Sequence, residues 1–326
     1  MEASAAARPA PGAGKAGRWW SALGPTGGAV AALVVLVLAN ALFTPNFATA
    51  GNFWNVLFQL SVTLLVAVGM TLVISTGGID LSVGSVMAIA AAVAAVTLES
   101  YGLAAAMLAA LAASMAVGLL NGAFVSYFKV QAIVVTLATL LAGRGLAQVI
   151  NRGGALLTIN DPGFLALGRG HLGPVPVQVL IAGVVAVLAV FVLRSTPFGR
   201  YVLAAGGNPA AARLAGVPVN RTIVSVYVIS GLLAGLAGLI EASRLGASAA
   251  AKIGQNVELD AIAAVVVGGT LLSGGRATIL GTVVGALIMQ VIATSFNMLL
   301  VPYAWSLAFK ALIILFAVYL QRPRRV

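Results

Sequence analysis

The chain contains no cysteine and a single histidine, His171, and only 8% of its 326 residues are charged. Each shortage removes a class of function. Without cysteine there is no disulfide framework, no thiolate nucleophile and no cysteine metal site. His171 lies in a Gly/Pro-rich loop with no second histidine to chelate beside it, so it reads as a surface residue and no metal site is expected. A soluble domain carries roughly 25% charged residues. With 61% hydrophobic residues against 8% charged, this chain cannot cover a water-facing surface. It reads as an all-α polytopic membrane protein.

Catalytic motifs are missing too. No GxxxxGK[ST] occurs, because the four lysines are followed by Ala16, Val130, Ile253 and Ala311, so there is no phosphate loop for ATP. HExxH and GxSxG are also absent. The seven acids are Glu2, Asp80, Glu99, Asp161, Glu241, Glu258 and Asp260, and only Glu258 and Asp260 are neighbours, at a span boundary. No catalytic residue is assigned, and no cofactor is expected on this chain. The net charge of +11 comes from basic residues beside apolar spans. They form no stripe interleaved with aromatics, so nucleic acid is not an expected partner and membrane lipid is.

What is abundant is apolar sequence. A span needs about 20 apolar residues. Ten candidates follow: 28–44, 53–75, 80–98, 102–127, 130–150, 175–193, 222–243, 259–273, 277–298 and 303–320. The segment 259–273 is short and glycine-interrupted. With the N-terminus inside, the inner face receives Arg8, Lys15, Arg18, Lys129, Arg194, Arg200, Arg213, Arg221, Arg276, Arg322, Arg324 and Arg325. The outer face receives only Arg152, Arg169, Arg244 and Lys252. That asymmetry predicts ten spans with both termini cytoplasmic. Residues 1–27 read as a disordered cytoplasmic tail, 28–321 as the transmembrane domain and 322–326 as a basic cytoplasmic tail. The first apolar run lacks a cleavage site and reads as a retained span, not a signal peptide.

Three features stand out. Gly118-xxx-Gly122, Gly231-xxx-Gly235 and Gly281-xxx-Gly285 permit close helix packing, within the chain or across a dimer, although such spacing also arises by chance in Ala/Gly-rich spans. Breaks at 77–84 and at Gly268-Gly269 with Ser273-Gly274-Gly275 hint at two related halves. The inner loop 194–221 predicts a short helix from Pro209 to Ala215. Asn208 is its N-cap, Pro209 its first residue, and Gly216 and Pro218 end it. That helix is either a docking element or a plain connector.

In the break, Gly77, Gly78, Asp80, Ser82 and Gly84 form the candidate site. Asp80 either accepts from the amides of Ser82 or Val83 at an exposed helix end, or lines a pathway and bonds passing hydroxyls. The deeper ionisable residues are Arg144, Glu241 and Lys310, with Lys310 able to snorkel. This inventory is thin for a proton relay. It suits a conduit driven from elsewhere.

Three blocks carry a family resemblance: GMTLVISTGGIDLSVGSV at 69–86, GRYVLAAGGNPAAARLAGV at 199–217 and ELDAIAAVVVGGTLLSGGRATILGTVVGAL at 258–287. On them the chain resembles bacterial ABC importer permeases of the ribose/xylose/galactose class, over nearly everything after residue 50. The resemblance implies a type II-like permease working as a homodimer. Its partners would be an ABC ATPase subunit, which carries ATP and Mg, and a periplasmic sugar-binding protein. By the same resemblance Gly207, Asn208, Pro209, Ala211, Ala212, Arg213, Ala215 and Gly216 form the helix that couples to the ATPase. Related branched-chain amino-acid permeases usually carry an Asn-Leu-…-His-Gly pattern where this chain has Ile79-Asp80-Leu81-Ser82-Val83-Gly84, so a monosaccharide is favoured as cargo in the bacterial inner membrane. The alternatives are another small solute, such as an amino acid or a sugar-like signal, and an ion-coupled secondary carrier. The spans show few convergent polar groups, so substrate choice is expected to lie mainly in the binding protein.

Overall fold

A computed structural model describes residues 26–320. The expected terminal tails lie outside the described residues, except for Thr26 and Gly27. These two open helix α1 (Thr26–Phe43). Helix α2 (Ala50–Ser75) is N-capped by Thr49, whose hydroxyl accepts from Asn52 N at 3.3 Å. From Leu60 onward α2 is almost wholly buried, and it forms the axis of the bundle.

Helix α3 (Val83–Ser126) is 44 residues long, about twice what a bilayer core needs. Gly102, at φ 76 and ψ 178, breaks it into two arms. The arms fold back on each other, because Asn121 Nδ2 donates to Ser82 Oγ at 2.8 Å across 39 positions. Helix α4 (Ala132–Ile150) packs against this hairpin. There follow α5 (Pro162–Arg169), α6 (Val177–Ser195), α7 (Pro197–Gly207), α8 (Pro209–Leu214) and α9 (Val219–Leu245), and then α10 (Val257–Val267), α11 (Ile279–Met298) and α12 (Tyr303–Leu320).

Among the described residues seven helices are long and apolar enough to cross a membrane, one of them the broken α3. The expected span 259–273 is not one of them. Helix α10 has 11 residues and ends at Gly268, and 268–278 is non-helical. Gly268-Gly269 and Gly274-Gly275 interrupt the helix there, and the last three of these glycines have positive φ. The expected span 80–98 likewise begins only at Val83, after the break.

Small residues set the helix spacing. Gly118 and Gly231 face each other across α3 and α9. A Cβ on Gly118 would stand 2.3 Å from Tyr227 O, and one on Gly231 2.5 Å from Ser114 O. The first two small-residue motifs therefore pack against each other inside one chain. Gly285 does the same for α11 and α10, where a Cβ would stand 2.0 Å from Ala264 O. The outward faces carry exposed Leu42, Phe43, Leu141 and Val187, as expected of helices whose solvent is lipid.

One end of the bundle holds the only described strands. β1 (Leu157–Thr158) pairs antiparallel with β4 (Ala247–Ser248), and β2 (His171–Leu172) with β3 (Val175–Pro176). Asp161 caps α5 by accepting from Phe164 N at 2.7 Å. The other end holds α7, α8 and the glycine loop 268–278.

Candidate functional site

The chain leaves α2 through Gly77, at φ 81, a conformation that disfavours any side chain. Asp80 is then only 1% exposed. Its Oδ1 accepts from Ser82 N at 3.0 Å and Ser82 Oγ at 2.6 Å. Its Oδ2 accepts from Ser230 Oγ, on α9, at 2.9 Å. The residue at the N-cap position of α3 is Ser82, whose side chain makes no capping bond. From Ser82 the polar chain continues to Asn121, whose Oδ1 accepts from Thr139 Oγ1 at 2.7 Å. A buried carboxylate is costly unless its oxygens are hydrogen-bonded, and here both are. Ser230, Asn121 and Thr139 had no sequence signal. Each is one more small polar residue in an apolar span.

Three diglycines that lie far apart in sequence meet at one point. Gly275 N donates to Ser75 O at 2.9 Å. A Cβ on Gly206 would stand 1.8 Å from that same Ser75 O, and one on Gly274 2.9 Å from both Gly206 O and Gly77 N. The end of α2, the end of α7 and the loop before α11 thus touch backbone to backbone. Ser75 Oγ also donates to Arg276 O at 3.3 Å. No side chain could be inserted at Gly206 without moving one of the three.

Helix α8 projects from this junction. Asn208 Oδ1 accepts from Ala210 N at 3.1 Å and Ala211 N at 3.0 Å, and Pro209 follows it in the first turn. Gly216, at φ 81, ends the helix. Gly207, Asn208, Pro209, Ala211, Arg213, Ala215 and Gly216 are exposed, whereas Ala212 is buried against Ala205 and Val219. Ala212 therefore anchors the helix and does not face outward. Leu214, which the motif reading passed over, is 92% exposed at its tip.

Of the three deep ionisable residues, Arg144 and Glu241 meet the segment between α9 and α10, and Lys310 meets α10 itself. Arg144 donates to Ala250 O at 3.1 Å, to Ile253 O, and to Gly254 O at 2.6 Å. Glu241 Oε2 accepts from Gly254 N at 3.1 Å. Lys310 Nζ pairs with Asp260 Oδ1 at 2.7 Å. Gly84 completes the cluster, because a Cβ there would stand 2.4 Å from Gly254 O and 2.7 Å from Glu258 Oε2. Gly84 thus joins the loop 250–254, apart from the carboxylate of Asp80. Among the described residues no group of three or more His, Cys, Asp or Glu is placed to hold a metal ion.

Residues 52–318 match the family described as branched-chain amino acid transport system / permease component. The ribose import permease RbsC of Escherichia coli K12 is 44% identical, over 90% of this chain and 92% of that protein. RbsC of Bacillus subtilis is 39% identical over 90% and 91%, and the galactofuranose transporter permease YtfT of Escherichia coli is 39% identical over 90% and 88%. No solved structure matches the chain. A match over most of the chain, together with identities well above those of a shared fold alone, makes this protein a member of the branched-chain amino acid transport system / permease component family, similar to permeases of sugar import.

Proposed function

We propose that this chain is the membrane permease subunit of an ATP-driven importer that carries a monosaccharide across the bacterial inner membrane. The observation that carries this is the 44% identity to a ribose import permease across nine-tenths of both chains. Two further readings follow from it. The first is a ten-span topology with both termini cytoplasmic, in which the arms of α3 count separately and α10 and α12 are included. The Gly102 break supports it. The second is that α8 docks on a separate ATPase subunit, which supplies ATP and Mg. Its capped, exposed geometry beside the diglycine junction supports that role. Movement of α8 would reach the ends of α2 and α11 directly through Ser75 and Gly275.

In this reading a second copy completes the pathway, and the breaks at 77–82 and 268–278 would be counterparts in two related halves. A periplasmic binding protein delivers the sugar to the loops at 151–174 and 244–258. Asp80 serves as the fixed point of the first break: with both oxygens occupied, it has little capacity left for cargo. Binding-protein choice still precedes permeation. The test is reconstitution in vesicles with the partner ATPase and binding protein. Uptake of labelled monosaccharide that needs ATP and both partners is the expected result. Uptake by this chain alone on an ion gradient would reject the proposal, and ATP-driven uptake of an amino acid in place of sugar would reject its cargo.

A further inference from the structure

A cavity of about 220 Å3 lies at the strand-bearing end of the bundle. Gln59 of α2, Glu241 and Arg244 of α9, Asp260 of α10 and Gln290 of α11 line it, with Lys252 at its exposed mouth. These residues are spread over 231 positions, which is why no sequence window shows them as a group. The expectation that the spans offer few convergent polar groups is therefore wrong at this place. Ionisable and amide groups inside a membrane bundle are expensive, and they persist where they face a cavity or pathway.

Part of their bonding capacity is used within the protein. Gln290 Nε2 donates to Gln59 Oε1 at 3.4 Å and to Thr294 Oγ1 at 3.2 Å, while Gln59 Nε2 donates to Asn55 Oδ1 at 3.1 Å. Asp260 is paired through Oδ1 with Lys310, Glu241 binds Gly254 N through Oε2, and Arg244 stacks 4.4 Å over the Phe58 ring. The lining holds two acids, Glu241 and Asp260, against two bases, Arg244 and Lys252. What remains facing the cavity is neutral in balance and mixed in kind. Gln290 Oε1, Glu241 Oε1 and Asp260 Oδ2 can accept, and the Arg244 guanidinium can donate.

We propose that this cavity is a monosaccharide site within the permease, formed by Gln59, Glu241, Arg244, Asp260 and Gln290. A sugar ring presents neighbouring hydroxyls that each donate and accept, which matches a wall of alternating acceptors and donors. A free anion would need a wall of net positive charge, whereas the two acids and two bases of this one balance. The cavity falls below the roughly 300 Å3 at which sites for drug-sized ligands begin, so it suits a single ring. The proposal rests on the sugar-import reading above.

The test uses the absence of cysteine from the chain. Gln290→Cys and Gln59→Cys each place one thiol in the wall of an otherwise thiol-free permease, studied in vesicles with ATPase and binding protein present. Modification by a charged, water-soluble thiol reagent is followed on the permease by mass spectrometry. D-ribose, D-galactose, D-fructose and L-leucine serve as probes, and uptake of each by the unaltered transporter is measured in parallel. The transported sugar is expected to slow modification about threefold, as for a weak site some two-thirds occupied, and L-leucine is expected to leave it unchanged. If a variant fails to assemble, the other supplies the measurement. Sugar uptake by the unaltered transporter with equal modification rates, or with neither thiol reachable, overturns the site and leaves the import reading intact. No sugar uptake by the unaltered transporter overturns both.

Discussion

Asp80 Oδ2 and Ser230 Oγ are 2.9 Å apart, a hydrogen bond that joins the break after α2 to the middle of α9 across 150 positions. With Ser82 N and Ser82 Oγ on the other oxygen, the carboxylate ties three donors together within the apolar core.

Asp80→Ala removes all three acceptor contacts and leaves buried donors unpaired, each costing about 1–3 kcal/mol. Asp80→Asn keeps Oδ1 for Ser82, and the Ser230 hydroxyl can rotate to accept from the new amide. Thermal unfolding of the purified protein should show a large loss for Ala and a small one for Asn, with uptake in the same order. Equal loss of uptake at normal protein levels would instead favour the pathway-lining role.

Gly206→Ala places a Cβ 1.8 Å from Ser75 O, whereas at Gly207 the nearest atom, Gly275 Cα, is 3.8 Å away. Overpacking of the first kind costs about 1–3 kcal/mol. Gly206→Ala should therefore lower stability and uptake, and Gly207→Ala should be tolerated. Parallel melting curves and uptake rates test this contrast between adjacent residues.

Arg144→Ala leaves the carbonyls of Ala250, Ile253 and Gly254 without their guanidinium partner. Hydrogen exchange should rise by about tenfold or more at 250–256, as expected when roughly 1.4 kcal/mol or more of local stability is lost. Arg144→Lys offers a single compact ammonium in place of the planar fork and should restore protection only partly. Unchanged exchange in the alanine variant would show that the loop is held by other contacts.

Leu214→Asp alters a residue that is 92% exposed, so the melting temperature should move by no more than about 0.5 kcal/mol allows. Co-purification with the ATPase subunit should nonetheless fall. Ala212→Asp, by contrast, buries a charge beside Ala205 and Val219 and should destabilise the fold itself. If Leu214→Asp leaves assembly intact, α8 is not the docking element.

The local chemistry of α8 was open to reading from sequence because every part of it is local. An Asn cap, a Pro in the first turn and a left-handed Gly lie within nine residues, and they act on neighbouring amides. The spans were legible for the same reason, since apolar length is a property of a continuous window. The segment 259–273 misled because its composition is apolar while its glycines stop the helix at Gly268. Composition reports what lipid tolerates, not where backbone hydrogen bonding ends.

The sequence alone determined the membrane class and the family, since both depend on residue types and short spacings. Tertiary structure decided what the scattered polar residues do. Arg144 and Glu241 meet at Gly254, three diglycines meet at Ser75, and Gln59 meets Gln290 across the bundle. Segments far apart in sequence bring most of these groups together, and at Ser75 they do so through backbone approaches that only glycine permits. A pattern of that range leaves no trace in any single window of sequence.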